Sequence, residues 1–199
     1  NYFNWEFGIE HPNITIVKMK NWKRKMMWRD AGYSWIAPSP ALVTLEQANL
    51  FLTFSLLAGI NVAVGRGDDN FLAFRVYGAP FVTEQEMKEI LLSLQALNLE
   101  GVEFTQYSWI ATRREFKGQM CRGIKIKMHQ FEQLERYVLG LHLLKVFVDV
   151  LGDKLDLKRL KFRLGHQDVV EALRSGESVE KLLALSQSGL LEFKDRRKG

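Results

Sequence analysis

The sequence is organised around three short segments: Trp35-Ile-Ala-Pro-Ser-Pro40, Asn61-Val-Ala-Val-Gly-Arg-Gly67 and Tyr77-Gly-Ala-Pro80. The two prolines of the first segment fix their φ angles and remove two backbone donors, which predicts a rigid, presented loop around Ser39. In the second segment, glycines on both sides of Arg66 permit positive φ angles and close approach of the backbone. A guanidinium beside exposed amide donors suits an anionic or polyhydroxylated ligand, although Gly-Arg-Gly also occurs in ordinary turns.

Capping signals and apolar periodicity predict the helices. Thr44-Leu-Glu-Gln47 and Thr83-Glu-Gln-Glu86 are capping boxes, and the apolar spacing after them predicts helices to about Ala58 and Leu97. The C-terminal part is predicted to be helical over three further segments: Leu134 to Gly152, Gln167 to Arg174, and Ser178 to Leu185. Lys194–Gly199 is predicted to be a frayed surface segment.

Strands are predicted where β-branched or alternating residues occur, namely at Ile14–Met19, Val102–Trp109 and Gly123–His129. The last of these places Ile124, Ile126 and Met128 on one face, and Lys125, Lys127 and His129 on the other. We expect the first face of this strand to be buried and the second to be exposed to solvent and positively charged. Strands alternating with helices predict an α/β or α+β fold: a single domain with a mixed β-sheet covered by helices and a helical C-terminal part.

Composition is typical of a globular protein, with 47% apolar and 26% charged residues among 199. A single cysteine, Cys121, excludes an internal disulfide framework. The net charge of +5 mildly favours anionic partners. The start at Asn1 shows no signal sequence and suggests an internal fragment or a processed product. The most apolar window, Ala48 to Val64, contains five polar or glycine residues, which favours a buried helix and strand over a membrane span.

The stretch Lys20-Asn-Trp-Lys-Arg-Lys-Met-Met-Trp-Arg29 interleaves five cations with two tryptophans. Such a pattern can bind nucleic acid by stacking and phosphate neutralisation. It can equally stack on a sugar ring or pack under a loop with solvated lysines. We expect no nucleic-acid partner, because no DNA-binding or RNA-binding motif accompanies the stretch.

The chain resembles one known family along nearly all of its length. The resemblance rests on the three opening segments and on Thr44-Leu-Glu46, Cys121-Arg-Gly-Ile124, Gly140-Leu-His-Leu-Leu144 and Leu173-Arg-Ser-Gly176. These residues resemble the C-terminal domain of the NamZ-like exo-β-N-acetylmuramidases, glycoside hydrolase family 171, which remove N-acetylmuramic acid from the ends of peptidoglycan chains.

The resemblance implies that residues 1–199 form one such C-terminal domain, with the Rossmann-like N-terminal domain of the family absent from this chain. In the family, the active-site cleft lies where the two domains meet. Partners would be a peptidoglycan-derived saccharide or muropeptide and the N-terminal domain of the same protein, without a membrane span. The location would be the bacterial cell envelope or the exterior.

Substrate binding is expected from two loops and one strand, and its candidate residues are Ser39, Asn61, Gly65, Arg66, Gly67, Lys127 and His129. Lys127 and His129 could hold a carboxylate, such as the lactyl group of muramic acid or a stem-peptide terminus. They could also form an ordinary solvated edge. No cofactor is expected, and no metal either, because His129 has no second histidine or cysteine at ligand spacing.

The chain departs from the family pattern in the glycine loop. The family sequence Thr-Asn-x-Ser-Glu-Gly-Arg-Gly-Thr corresponds to Ile60–Asp68, so the family glutamate is Val64 here. A glycosidase normally needs two carboxyl groups, and valine supplies neither. No catalytic residue is therefore assigned. Two hypotheses remain: an exo-muramidase whose carboxylates lie in another part of the protein, in which case this fragment alone is inactive, or a degenerate, non-enzymatic carbohydrate-binding or interaction domain.

Overall fold

The predicted strands Val102–Trp109 and Gly123–His129 form neighbouring strands, the second of which ends at Met128, in the computed structural model. The structure describes residues 8, 15–65, 71–112, 116–130 and 135–197. The chain divides into two compact units, residues 35–186 and residues 1–34 together with 187–199. Our expectation that residues 1–199 form one domain of the family's C-terminal type stays a prediction.

The unit 35–186 contains a three-stranded sheet in the order β1-β3-β2, whose strands are β1 (Val76–Ala79), β2 (Val102–Ile110) and β3 (Met120–Met128). Strand β2 pairs with β3 from Val102↔Met128 to Ile110↔Met120. Strand β1 pairs with β3 from Val76↔Lys125 to Ala79↔Arg122.

Helices cover one face of this sheet and make up the rest of the unit. They are α1 (Leu45–Leu57), α2 (Glu84–Ala96), α3 (Arg136–Leu151), α4 (Leu160–Leu164), α5 (Gln167–Arg174) and α6 (Val179–Ser186), with a 3₁₀ turn at Gly152–Lys154. The fold class and the helical C-terminal part are confirmed. We expected a mixed sheet, but both strand pairings are antiparallel. Strands β2 and β3 are consecutive in the chain and joined by a short connection, which permits an antiparallel pair but not a parallel one.

Both predicted capping boxes are present. The Gln47 amide donates to the Thr44 hydroxyl at 3.2 Å, and the Thr44 amide donates to the Gln47 side chain at 3.0 Å. The same reciprocal pair joins Thr83 and Glu86 at 3.2 and 2.9 Å. Each box satisfies two backbone donors that a helix start leaves without an intrahelical partner. The helices end at Leu57 and Ala96, one residue before the predicted ends.

The two faces of the sheet have different surroundings. Residues paired in register share a face, and neighbours along a strand alternate between faces. The inner face packs on the helices through fully buried side chains that include Tyr77, Ile124 and Ile126. The outer face carries a small apolar cluster, Val76, Trp109, Ala111 and Cys121, at one end. The remainder of that face bears the charged residues of the candidate site.

Three local predictions differ from the structure. The strand expected after the helix in the window Ala48 to Val64 is reduced to an isolated bridge between Ala63 and Gly78. Residues 15–19 form no strand, and Ile16 and Val17 are both exposed; Ile14 lies outside the described residues. β-Branched residues favour a strand only where a neighbouring strand pairs with them. The predicted frayed surface tail, Lys194–Gly199, is exposed at residues 194–197 as expected, but it is helical to Arg196 in α7 (Leu190–Arg196). At the end of this helix, the Arg197 amide donates to the Phe193 carbonyl at 3.0 Å, and Lys198 and Gly199 lie outside the described residues.

The basic stretch belongs to the unit formed by residues 1–34 and 187–199. Its five cations are exposed, and the Arg24 guanidinium lies 6.0 Å from the Trp22 ring centroid. Trp28 belongs to a 3₁₀ turn, Trp28–Ala31, and its indole N–H donates to the Tyr33 carbonyl at 3.0 Å. In the described part of the chain, every helix is too short or too polar to cross a bilayer.

Candidate functional site

The Pro-Ser-Pro segment forms the predicted turn. The Leu42 amide donates to the Ser39 carbonyl at 2.9 Å, and the Ala41 amide donates to the Ser39 hydroxyl at 3.3 Å. The Trp35 indole N–H donates to the Leu42 carbonyl at 3.1 Å, which braces the turn from outside. Both prolines are exposed while Ser39 is half-buried. The turn is therefore locked locally, and its serine hydroxyl already accepts one hydrogen bond.

Asn61 begins the glycine loop, and its side chain is engaged by the protein itself. Its amide nitrogen donates to the Lys154 carbonyl at 3.1 Å, and its amide oxygen accepts from the Asp156 amide at 2.7 Å. This pair of bonds clamps the start of the glycine loop to the segment that follows α3. The predicted role of Asn61 in substrate binding stays a prediction, and the structure adds a second role in positioning the loop.

The described part of the glycine loop ends at Gly65, which is buried. Val62 and Val64 are buried in the main core, and the Val64 carbonyl accepts from the Phe74 amide at 2.9 Å. Gly65 has a φ of +65°, and a Cβ there would lie 2.6 Å from a methyl carbon of Val76. A side chain would therefore be strained and would clash, so the loop requires glycine at this position. Arg66 and Gly67 lie outside the described residues.

The outer face of the sheet carries the predicted cations. The His129 Nε2 lies 3.0 Å from the Glu103 carboxylate, and Glu103 is the register partner of Lys127. Lys125 is half-buried, and its ammonium lies 5.0 Å from the centroid of the Tyr107 ring. These side chains form an open, polar surface, which we call the cationic face and define as Glu103, Thr105, Tyr107, Lys125, Lys127 and His129.

Gly65 of the glycine loop packs against Val76, which is the β1 neighbour of Lys125. Val76 and Lys125 are register partners on the same face of the sheet. The buried contact between Gly65 and Val76 places Gly65 one strand away from Lys125, while Lys127 and His129 lie further along β3 and the segment after it. The Asn61 side-chain amide is hydrogen-bonded to Lys154 and Asp156 instead. The hydrogen bonds of Ser39 lie within its own turn.

Neither the proximity of Tyr107 to Lys125 nor the contact of Glu103 with His129 was predicted from the sequence. Alternation had placed Lys125 on the same face as Lys127, which was the available signal. The proximity of Tyr107 and Glu103 depends on the β2–β3 register, and no pattern within either strand encodes that register.

A second carboxylate, Glu46, lies near the sheet but is committed to structure. One of its oxygens accepts from the Met128 amide at 2.7 Å, and the other lies 3.1 Å from the Arg75 Nε. That Nε–oxygen contact is a charge contact without hydrogen-bond alignment. Both side chains are more than four-fifths buried, so the pair neutralises two charges inside the fold. No group of three or more metal-ligating side chains occurs among the described residues.

Comparison with known proteins identifies the family to which this chain belongs. The family model for the C-terminal domain of the exo-β-N-acetylmuramidase NamZ matches residues 49–199, and the model for the N-terminal domain of NamZ matches residues 1–46. The chain belongs to the NamZ family. The predicted resemblance is thereby confirmed.

Two relatives show how much of a NamZ-family protein this chain represents. The peptidoglycan β-N-acetylmuramidase NamZ of Bacillus subtilis (strain 168) is 31% identical to this chain, in an alignment that covers 98% of this chain and 47% of that protein. The crystal structure of a DUF1343 family protein from Bacteroides fragilis matches with a TM-score of 0.68 and 20% identity, over 99% of this chain and 53% of that one. The second likeness shows the fold. The chain spans about half the length of both relatives.

Proposed function

We propose that this chain is part of a peptidoglycan-acting exo-β-N-acetylmuramidase and contributes one wall of its saccharide-binding cleft. The observation that carries the proposal is the contact of Gly65 with Val76, the strand residue paired in register with Lys125 of the cationic face. The Bacillus relative, a peptidoglycan β-N-acetylmuramidase by name, supports the substrate class. The partners in this proposal are a peptidoglycan-derived saccharide or muropeptide and the N-terminal domain of the same protein.

The chemistry of the surface suits binding better than bond cleavage. Glu103 is the single carboxylate that the described strands place on the outer face, and it is paired with His129. Glu46 is neutralised by Arg75. Because glycoside hydrolysis normally uses two carboxyl groups on opposite sides of the scissile bond, this proposal assigns the acid and base to residues beyond this surface. Arg66 and the neighbouring amides would orient the sugar.

The proposal is tested with the complete gene product and a chromogenic β-glycoside of N-acetylmuramic acid. We expect turnover that Arg66→Ala abolishes or reduces by about a hundredfold, because a guanidinium that positions substrate acts in the transition state. Arg174→Ala is the matched control, since Arg174 is an exposed arginine at the end of α5. Turnover that is equal in both variants would refute the role of Arg66.

A degenerate, non-enzymatic relative is the second candidate, and Val64 favours it. Val64 occupies the position of the family glutamate and is buried in the main core. A buried valine gives the loop an apolar anchor in place of an ionisable group. Under this alternative, the complete protein binds N-acetylmuramic acid or its peptides without any turnover, and Val64→Glu does not create activity.

A further inference from the structure

The cationic face contains a lysine whose surroundings differ from those of an ordinary surface lysine. Lys125 is half-buried, whereas Lys127 is exposed. Its register partners are Thr105 on β2 and Val76 on β1, both uncharged. In the part of the chain that the structure describes, no carboxylate lies within ion-pair distance of Lys125. A cation that is partly desolvated and lacks a counter-ion is a natural partner for an anion supplied by a ligand.

The aromatic residue beneath Lys125 restricts where its ammonium can lie. The ammonium lies 5.0 Å from the Tyr107 ring centroid, within the range of a cation–π contact. The Tyr107 ring lies 6.2 Å from the Trp109 ring at an interplanar angle of 29°, and Trp109 is buried. Tyr107 is thus held from below by a buried ring and presents a fixed partner to the lysine. This arrangement reduces the conformational freedom that Lys125 would otherwise lose on binding a ligand.

The other charged groups on the face are less available to an anion. Glu103 is the register partner of Lys127 and lies 3.0 Å from His129. Its carboxylate therefore already provides negative charge beside both of these residues. The glycine loop approaches the other end, because Gly65 lies against Val76. Within the cationic face, Lys125 is therefore the cation next to Val76, the strand residue that Gly65 contacts.

We propose that Lys125, held over Tyr107, is the specificity-determining cation that recognises the lactyl carboxylate of N-acetylmuramic acid. This inference rests on the proposed function and names the chemical group of the sugar that the cationic face would bind. N-acetylmuramic acid differs from N-acetylglucosamine by that carboxylate-bearing ether. A single charged hydrogen bond at Lys125 is therefore sufficient to distinguish the two sugars.

The test uses the complete gene product and chromogenic β-glycosides of both sugars. Lys125→Gln should raise KM for the N-acetylmuramic acid glycoside about tenfold or more with a smaller change in kcat, because a charged hydrogen bond to a distant substrate group acts equally in the ground and transition states. Activity on the N-acetylglucosamine glycoside should stay unchanged. Lys125→Arg should retain most of the preference. Lys88→Gln, an exposed lysine on α2, is the matched control.

The outcomes separate this inference from the function on which it rests. An unchanged KM in Lys125→Gln, with turnover intact, overturns the role of Lys125 and leaves the proposed function standing. If the wild-type protein shows no turnover, calorimetric binding of the two free sugars replaces the kinetic measurement. A preference for N-acetylmuramic acid that Lys125→Gln removes then supports the inference. Equal affinity for both sugars, or no binding of either, overturns it.

Tyr107→Leu gives an independent arm, because it removes the ring without touching the charge. We expect a several-fold rise in KM for the acidic sugar and little change for the neutral one. Thermal unfolding of each variant establishes that the fold is retained. A folded Tyr107→Leu protein with an unchanged preference would show that the ring does not position Lys125.

Discussion

Gly78 of β1 and Gly123 of β3 face each other across the sheet at a distance that no side chain could tolerate. A Cβ on Gly123 would lie 1.9 Å from the Tyr77 carbonyl oxygen and 2.6 Å from the Gly78 Cα. The Gly78 backbone also bonds to Ala63 in both directions, at 2.8 and 3.1 Å. The two glycines therefore allow β1 to press against β3 while β1 also holds the glycine loop.

Gly123→Ala should destabilise the protein by about 3 kcal/mol or more, because the new methyl group overlaps backbone atoms that cannot move independently. The free energy of unfolding from urea titration measures this effect. Gly118→Ala is the control: its φ is +80°, but nothing lies within 4 Å of the added Cβ. The control should cost about 1 kcal/mol from backbone strain alone. Equal costs for the two variants would contradict the steric explanation.

Glu46→Gln should destabilise the fold by about 2 kcal/mol, because it leaves the largely buried Arg75 guanidinium without its counter-charge. The glutamine can still accept the hydrogen bond from the Met128 amide, so the substitution isolates the charge. A double-mutant cycle with Arg75→Met, measured by chemical unfolding, should show that the combined loss is smaller than the sum of the single losses. Additive losses would mean that the two charges do not interact.

Asn61→Ala should cost about 2 kcal/mol of stability, because it removes the two hydrogen bonds to the Lys154 carbonyl and the Asp156 amide. Hydrogen exchange at the Asp156 amide should accelerate, which reports directly on the lost clamp. Gln85→Ala, an exposed polar residue on α2, should change neither quantity. If Asn61→Ala alters ligand affinity while leaving stability and exchange unchanged, its amide acts on the ligand and not on the loop.

Glu86 makes the stability of α2 depend on pH. Burial acts to raise the pKa of Glu86, but hydrogen bonds from Lys154 and Thr83 outweigh burial and lower that pKa. Because the pKa is lower in the folded than in the unfolded chain, the ionised carboxylate stabilises the fold above the unfolded pKa. This contribution is lost as the pH falls through the folded pKa.

Glu86→Gln should therefore lower Tm at neutral pH, and the difference from the wild type should shrink as the solution is acidified below about pH 4. Thermal unfolding across this pH range measures the difference. Glu89→Gln, an exposed neighbour on the same helix, should show little difference at any pH. A Tm difference for Glu86→Gln that is constant with pH would show that the lost interaction is not ionic.

The starts of the helices and the strand faces were open to prediction because their signals are local. Thr44 and Gln47 are three residues apart, and their reciprocal bonds form whenever the helix does. Ile124 and Ile126 alternate with lysines, so their burial follows from the period of the strand. The same local logic failed at Ile16 and Val17, since a strand needs a partner that no local pattern supplies.

The candidate site was predictable in its parts but not in its assembly. The glycine loop and the lysines of β3 each carried a signal in the sequence, whereas the position of Lys125 beside Val76, which Gly65 contacts, depends on the register of β1 against β3. The register also decided that Tyr107 lies beneath Lys125.

The starts of the helices, the buried residues of the strands and the family resemblance could all be read from the sequence, because each depends on residues that are close together or on a recognisable pattern. Three contacts could be seen only in the folded chain: Asn61 clamps the segment 154–156, Glu46 neutralises Arg75, and Gly65 contacts Val76 beside Lys125. The physical reason is that these contacts join residues far apart in the chain, whose proximity is set by the packing of the whole unit and by no local preference.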